Sequence, residues 1–492
     1  MTQKKCRVIY QLMTDRLARL SERMLARVAA SIVPSFIEEW ADEIAAGWMY
    51  PVQRENPVGW HGGNYPGLAL KTHEGYFKDL SNALLISGPC LQVKERTGAL
   101  TGLKEVPYHG YHPEDLLLPN KRFGSVSALR KLSREANSKG MELLMDAVHH
   151  LGSPEAELYR ERPDLFLPKN EWSWSELPLF DMTNFEARRY VWQSFRYWRE
   201  RGVQGFRWDT AGHLSLDYLS DLVNSPLSPV QGTYSFGEVF DGDIAALVPF
   251  LNVGMNALDY PLHFKILDCL AVPGGHGPLN ELAAHMRRYQ ELGVDQSNLV
   301  RFLDNPDTSR FVWEVLKRHF ADPNSEVGSD PTDPYYARQR LDLGLSYLYS
   351  LEGDILIYYG TECGVAGEGM RSPFGENRLS MDFSLSQRLK PRLQALYRAR
   401  MGNSALVSGD YRELWQPQWG GAAVLCHARV NTQQAVVVVL NNGSLPAEVN
   451  IPVHGLLGEI ISELTGRSHN MRVNGNLVGT VPARTLYMFT SK

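Results

Sequence analysis

Short apolar runs at 8–12, 83–86, 142–148, 205–208, 234–238, 256–258, 299–303 and 355–359 each stop at polar residues. Between several of them lie segments whose apolar positions recur with a helical period, at 68–80, 125–139 and 186–201. Short apolar runs bounded by turn residues predict buried strands, and strands alternating with helices predict parallel βαβ units. Counting strand openings at Val8, Ala83, Leu143, Gly205, Tyr234, Asn256, Leu299 and Ile355 gives the number that a closed (β/α)8 barrel needs. The fold class expected is therefore α/β: a TIM barrel over 1–399, with loops longer than the minimal ~250-residue barrel requires. A short inserted segment at 150–183 follows the third strand. A second insertion, 17–58, is helical in pattern: Val28, Ile32, Phe36, Trp40, Ile44 and Trp48 recur every fourth residue, Pro34 interrupts them, and Ser35 with Glu38 fits a capping box. It reads as a helical hairpin packed on the barrel or as a partner surface.

After residue 400 the pattern changes to short alternating strands at 422–426 and 435–440, separated by turn residues. That predicts a C-terminal all-β sandwich over 400–492, with hairpin turns at Asn441-Asn442-Gly443 and Asn474-Gly475-Asn476.

Composition excludes more than it assigns. With 492 residues, 43% hydrophobic and 21% charged, the chain is ordinary globular material. A formal net charge of -5 without a basic stripe argues against nucleic acid and for a neutral partner. Five scattered cysteines suggest neither a disulfide framework nor a zinc site. No apolar stretch reaches the length of a membrane span, and a polar start leads directly into a strand without an apolar signal region. A cytoplasmic protein is expected, with no membrane partner and no signal for any particular oligomeric state.

In a barrel of this kind reactive groups sit at the carboxyl ends of the strands. Asp146, Asp209, Glu238 and Asp307 each end or follow an apolar strand. Asp209 and Glu238 are separated by about one βα unit, ~30 residues, so neighbouring strands would bring them face to face. Arg207 stands two before Asp209, and residues i and i+2 of a strand share a side, so the guanidinium would hold the carboxylate ionised. Paired carboxyl groups across a bond are the chemistry of glycoside hydrolysis.

Four segments give the pattern a family. Met145-Asp146-Ala147-Val148-His149-His150, Gly205-Phe206-Arg207-Trp208-Asp209-Thr210-Ala211-Gly212-His213, Phe236-Gly237-Glu238-Val239-Phe240 and Phe302-Leu303-Asp304-Asn305-Pro306-Asp307 come in that order. They resemble the four signature regions of the α-amylase family, glycoside hydrolase family 13, and the resemblance covers nearly all of the chain. It implies that Asp209 is the nucleophile, Glu238 the general acid/base and Asp307 the carboxylate that stabilises the transition state. Arg207 would hold Asp209, Tyr111 would stack on the sugar being cleaved, and His213 would shape the leaving-group subsite, with His150 and Arg378 as further substrate contacts. The activity implied is retaining cleavage of α-glucosidic bonds in maltooligosaccharides or related α-glucans. Transglycosylation through the same intermediate is the near alternative, and a catalytically weakened carbohydrate-binding or scaffold protein the distant one. Glu238 must be protonated near neutrality, and proximity to Asp209 and Asp307 is expected to raise its pKa.

The sequence departs from the family in three places. Without a gap, the first region has His150 and Leu151 where an asparagine and a histidine are usual; with one residue deleted, His150 supplies the histidine and the asparagine is gone. That asparagine helps bind a structural calcium in the family, and histidine is a poor ligand for this ion, so calcium stays open but is not predicted, and no other cofactor is expected. Pro306 stands where the fourth region has a histidine, forfeiting a sugar hydrogen bond worth about 1.5–3 kcal/mol, or roughly tenfold to a hundredfold in rate. Asn377-Arg378 matches a family pair, but Phe374 replaces the aspartate expected four residues before the arginine.

Overall fold

All eight strands expected from the apolar runs form, and they close on themselves. In the computed structural model, which describes residues 5–19, 40–42, 51–97, 104–171, 177–272, 278–321, 334–369, 375–415 and 423–491, they are β1 (Val8–Gln11), β2 (Ala83–Ile86), β3 (Glu142–Ala147), β4 (Gly205–Trp208), β5 (Tyr234–Gly237), β6 (Asn256–Leu258), β7 (Leu299–Arg301) and β8 (Asp354–Tyr358). Each pairs in parallel with its sequence neighbours, and β1 pairs with β8, with Val8 opposite Ile355, to close the barrel. Alternation along the strands decides what goes where. Ile9, Ala83, Leu85, Leu144, Phe236, Leu258, Val300 and Leu356 fill the barrel interior, while Val8, Tyr10, Leu84 and Leu143 face the helices. The helix Phe185–Arg199 between β3 and β4 shows the local logic: Asn184 caps it through the amides of Glu186 and Ala187, and Ala187, Val191, Phe195 and Trp198 form its buried stripe.

Register sets the catalytic end. Asp146 of β3 lies opposite Arg207 of β4, and Trp208 lies opposite Gly237 of β5. The next residues on the two strands are Asp209 and Glu238, which therefore leave the barrel rim side by side. Gly205 makes this approach feasible, since a Cβ there would meet the Tyr234 carbonyl oxygen at 2.3 Å.

The C-terminal strands are β9 (Asp410–Trp415), β10 (Val424–Val430), β11 (Ala435–Asn441), β12 (Ala447–Pro452), β13 (Ile461–Glu463), β14 (Arg472–Val473), β15 (Asn476–Val481) and β16 (Thr485–Ser491). They form antiparallel sheets in the orders β9-β10-β11-β16-β13 and β12-β15-β14. Val437, Val439, Tyr487 and Phe489 of the larger sheet pack against Val449, Ile451, Leu477 and Val481 of the smaller, which makes a sandwich. The opposite face of the larger sheet, with Leu425, Val438, Leu440 and Met488, joins the core of the barrel helices.

The turn at Asn474-Gly475-Asn476 is a hairpin between β14 and β15, with Gly475 at φ +88°. Asn441-Asn442-Gly443 is not: it carries the chain from β11 in the larger sheet to β12 in the smaller, and the Gly443 amide donates to the Asn441 side chain within the corner. Most of the 17–58 helical insertion, including Pro34, Ser35 and Glu38, lies outside the described residues, as does Phe374. Of its apolar stripe, Trp40 is buried in the barrel's outer core. Among the described residues no helix is long and apolar enough to cross a membrane.

Candidate active site

One guanidinium organises the carboxyl end of the barrel. Arg207, with a side chain 1% exposed, donates through Nη1 to Asp146 Oδ1 at 2.8 Å and to Asp209 Oδ1. Its Nη2 lies 2.9 Å from Glu238 Oε2 and 3.5 Å from Asp307 Oδ2. The expected Arg207–Asp209 pair is thus part of a cluster in which four buried carboxyl groups share a single cation. Arg378 supplies a second: its Nη2 lies 3.2 Å from Asp307 Oδ1, and its Nε donates to the Pro306 carbonyl at 2.9 Å.

The 304–308 loop is held by the residues around the departure at Pro306. Asn305 Oδ1 accepts the amides of Asp307 and Thr308, both at 2.9 Å, an Asx turn that aims Asp307. Asn377 donates to the carbonyls of Pro306 and Thr308 at 2.8 and 2.9 Å. The Asn377-Arg378 pair therefore clamps the backbone before and after Asp307, and Arg378 pairs with Asp307 itself.

Glu238 has more donors than any neighbour. Besides Arg207, its Oε2 accepts the Thr210 amide at 3.0 Å, and its Oε1 accepts the Tyr260 hydroxyl at 2.6 Å. Thr210 adopts a left-handed backbone, φ +45°, which costs a β-branched residue roughly 1–3 kcal/mol. His150 offsets that strain: its Nε2 lies 2.8 Å from Thr210 Oγ1. Burial, with His213 and Arg207 nearby, pushes the His150 pKa down to about 3, so the ring is neutral. His150 thus spends Nε2 on the protein itself, whereas His213 is exposed beside the site. Tyr111 donates to Asp146 Oδ2 at 2.9 Å and stacks on His109, ring centroids 5.1 Å apart. The Arg378 guanidinium carbon lies 5.9 Å from the centre of the Tyr111 ring.

These contacts reverse the expected protonation. Burial raises every carboxyl pKa here, but for Glu238 the guanidinium, the Tyr260 hydroxyl and the Thr210 amide outweigh it, and its pKa falls below the usual glutamate value. Asp209 goes the other way. Burial, together with Glu238, Asp146 and Asp307, outweighs its share of Arg207 and raises its pKa well above the aspartate range. The two carboxyl groups are thus pushed in opposite directions, Asp209 towards the acid form and Glu238 towards the carboxylate. Asp307 is raised to about 6 by burial and by Glu238, against Arg378 and Arg207.

The rise of Asp307 from 3.8 to about 6 has a stability consequence. A raised folded-state pKa leaves stability intact below the unfolded value and removes it as pH climbs through the folded one, here up to about 3 kcal/mol by pH 7.5. Asp307→Asn should therefore be more stable than wild type at pH 7.5 and no more stable at pH 3.5, as read from urea midpoints.

Metal chemistry finds poor purchase. A calcium ion needs roughly six to eight oxygens, but His149 turns its ring nitrogens to Ser194 and Cys90, and the His150 carbonyl already accepts the Phe180 amide. The residues of the first signature region do not fit that ion. Among the described residues, Glu105, His109 and His112 bring potential ligand atoms within 4.8 Å of one another. The Tyr111 amide donates to His109 Nδ1 at 3.0 Å, which leaves the proton of the neutral ring on Nε2 and no lone pair for a metal.

Known proteins place this arrangement. No family model matches the sequence. The chain is 25% identical over 379 residues to a β/α-amylase of Paenibacillus polymyxa, covering 72% of this chain and 29% of the relative. It is 24% identical over 451 residues to a cyclomaltodextrin glucanotransferase of Geobacillus stearothermophilus, covering 84% of this chain and 59% of that one. In structure it superposes on an α-amylase of Anoxybacillus with a TM-score of 0.79 at 21% identity, covering 98% of this chain and 97% of the other. The chain resembles α-amylases and cyclomaltodextrin glucanotransferases over most of its length. The sequence signatures and the eight-stranded barrel agree with these likenesses, but two residues of the site were not legible as functional. Tyr260 opens the helix Tyr260–Leu270 after β6, and Asn305 lies inside the fourth signature. Tyr260 donates to Glu238 and Asn305 donates to Tyr260, contacts that arise only because β5, β6 and β7 are adjacent.

Proposed function

We propose that this protein is a retaining α-amylase-family hydrolase of α-glucosidic bonds in maltooligosaccharides or related α-glucans, working in the cytoplasm. The observation that carries the reading is the convergence of Asp209, Glu238 and Asp307 on Arg207 at the carboxyl end of the barrel. The relatives named for amylase and glucanotransferase activity support it. They are longer proteins, of which this chain spans 29% and 59%. Five unpaired thiols, four of them buried, suit a reducing compartment.

In this mechanism Glu238 delivers a proton to the glycosidic oxygen while an Asp209 oxygen bonds to the anomeric carbon, and the bond to the leaving sugar breaks. The glucosyl unit is then an ester of Asp209. Glu238, now a carboxylate, takes a proton from water as that water attacks the anomeric carbon, which frees Asp209 and releases a sugar of the original α configuration. Asp307, held by Arg378, faces the positive charge that develops at the ring, and Tyr111 offers a flat face to the sugar.

Transfer to a second sugar is the rival outcome, and Phe240 favours it. Its ring is 57% exposed two residues beyond Glu238 and 4.5 Å from Tyr260, an apolar platform for an acceptor sugar. Incubation with maltoheptaose, followed by proton NMR and by product sizing, separates the readings. Hydrolysis should give shorter chains whose new ends appear first as the α anomer, and transfer should give longer chains as well. If no chain is cleaved while calorimetry detects sugar binding, the protein is a carbohydrate binder.

A further inference from the structure

Tyr260 is a buried phenol whose hydrogen-bond direction is fixed. Asn305 Oδ1 accepts two backbone amides, so its Nδ2 is a donor, and it donates to the Tyr260 hydroxyl oxygen at 2.7 Å. With an oxygen that already accepts, the hydroxyl hydrogen is directed at Glu238 Oε1, 2.6 Å away. The ring is locked as well. Asp259 caps the helix that Tyr260 begins, through the Leu262 amide, and is itself tied to Arg301 and Tyr289. Phe302 packs edge-on against Tyr260 at 4.9 Å, and Phe240 covers it at 4.5 Å. An oriented donor on Oε1, with the Thr210 amide donating to Oε2 and the Arg207 guanidinium in an ion pair 2.9 Å from it, favours the carboxylate form of Glu238 over the acid.

We propose that Tyr260 is a positioning residue for the acid/base: its hydroxyl, oriented by Asn305, donates to Glu238 Oε1, fixes that carboxyl group and favours its carboxylate over its acid form. Tyr260 thus sets how readily Glu238 becomes the acid that the mechanism needs. The directions of the two pKa shifts, Glu238 lowered and Asp209 raised, agree with it. The role of the proton in catalysis rests on the hydrolase reading above, whereas the effect of Tyr260 on Glu238 does not.

The test follows that division. In protein labelled with carboxyl-¹³C glutamate, with Glu238 assigned by loss of its signal in Glu238→Gln, the Glu238 titration is followed in wild type, Tyr260→Phe and protein carrying 3-fluorotyrosine at 260. Phenylalanine keeps the ring packing and deletes the donor, so the Glu238 midpoint should rise by about one pH unit. Fluorotyrosine is a stronger donor and should lower it. The alkaline limb of kcat/KM, which reports loss of the acid form, should move in the same direction as each midpoint. A merely structural Tyr260 would not give opposite shifts. An unmoved Glu238 midpoint in Tyr260→Phe overturns the inference even if activity changes. If the wild type is inactive on maltoheptaose while the midpoints still shift, the hydrolase reading fails and the coupling stands.

Discussion

Asp209→Asn should lower maltoheptaose turnover by roughly 10⁴-fold, the scale of losing a group that acts as a unit with its partners, while leaving the protein as stable as before or more so. An amide has the shape of the carboxyl group and keeps an oxygen for Arg207, but it cannot form the glycosyl ester. Stability should not suffer, because Asp209 is one of four buried carboxyl groups around one guanidinium and its ionisation is opposed by burial and by the other three. Functional sites commonly carry such strain. Glu238→Gln should separate the second role. It should harm maltoheptaose cleavage far more than the first turnover of 4-nitrophenyl α-glucoside, whose leaving group departs without a proton. Initial rates on both substrates and a thermal melt check these outcomes. Turnover by Asp209→Asn within tenfold of wild type would remove Asp209 from the nucleophile's role.

The sequence carried the barrel because a buried parallel strand is an apolar run, and the order of such runs with helices between them leaves few topologies. It carried the cluster in part. The two-residue spacing of Arg207 and Asp209 put both on one side of β4, and ends of adjacent strands brought Glu238 near. What the spacing could not carry was how one cation is divided. Arg207 reaches Asp146 because β3 sets that residue opposite it in register, and reaches Glu238, two residues past its partner Phe236, where the chain leaves the end of β5. From sequence, Asp209 looked like the ion pair and Glu238 like the acid raised by its neighbours. The donors from Tyr260 and Thr210, each set in place by a residue on another strand or loop, invert that order. The corner at Asn441 fails for a similar reason. Its turn residues are right, but β10 and β16 already flank β11 on both edges, so the chain must leave for the other sheet.

Arg207→Leu should be the most damaging single change to folding. Its guanidinium is buried against Asp146, Asp209, Glu238 and Asp307, and removing one partner of a buried charge cluster leaves the others uncompensated, at about 3–5 kcal/mol. The size should depend on pH in a defined direction. Without the cation the folded-state pKa values of Asp146, Asp209 and Asp307 rise further above their unfolded values, and Glu238 loses the guanidinium that holds it down. Stability from such groups is intact below the unfolded pKa and lost as pH climbs through the folded one, so the deficit should grow from pH 5 to pH 8. Urea midpoints of wild type and Arg207→Leu at the two pH values give the comparison. Adding Asp307→Asn to Arg207→Leu should recover part of the deficit at pH 8 and little at pH 5, since the amide removes a charge present only at the higher pH. A deficit of equal size at both pH values, untouched by Asp307→Asn, would mean that Arg207 supports the barrel rim by packing and that the carboxyl groups do not need its charge.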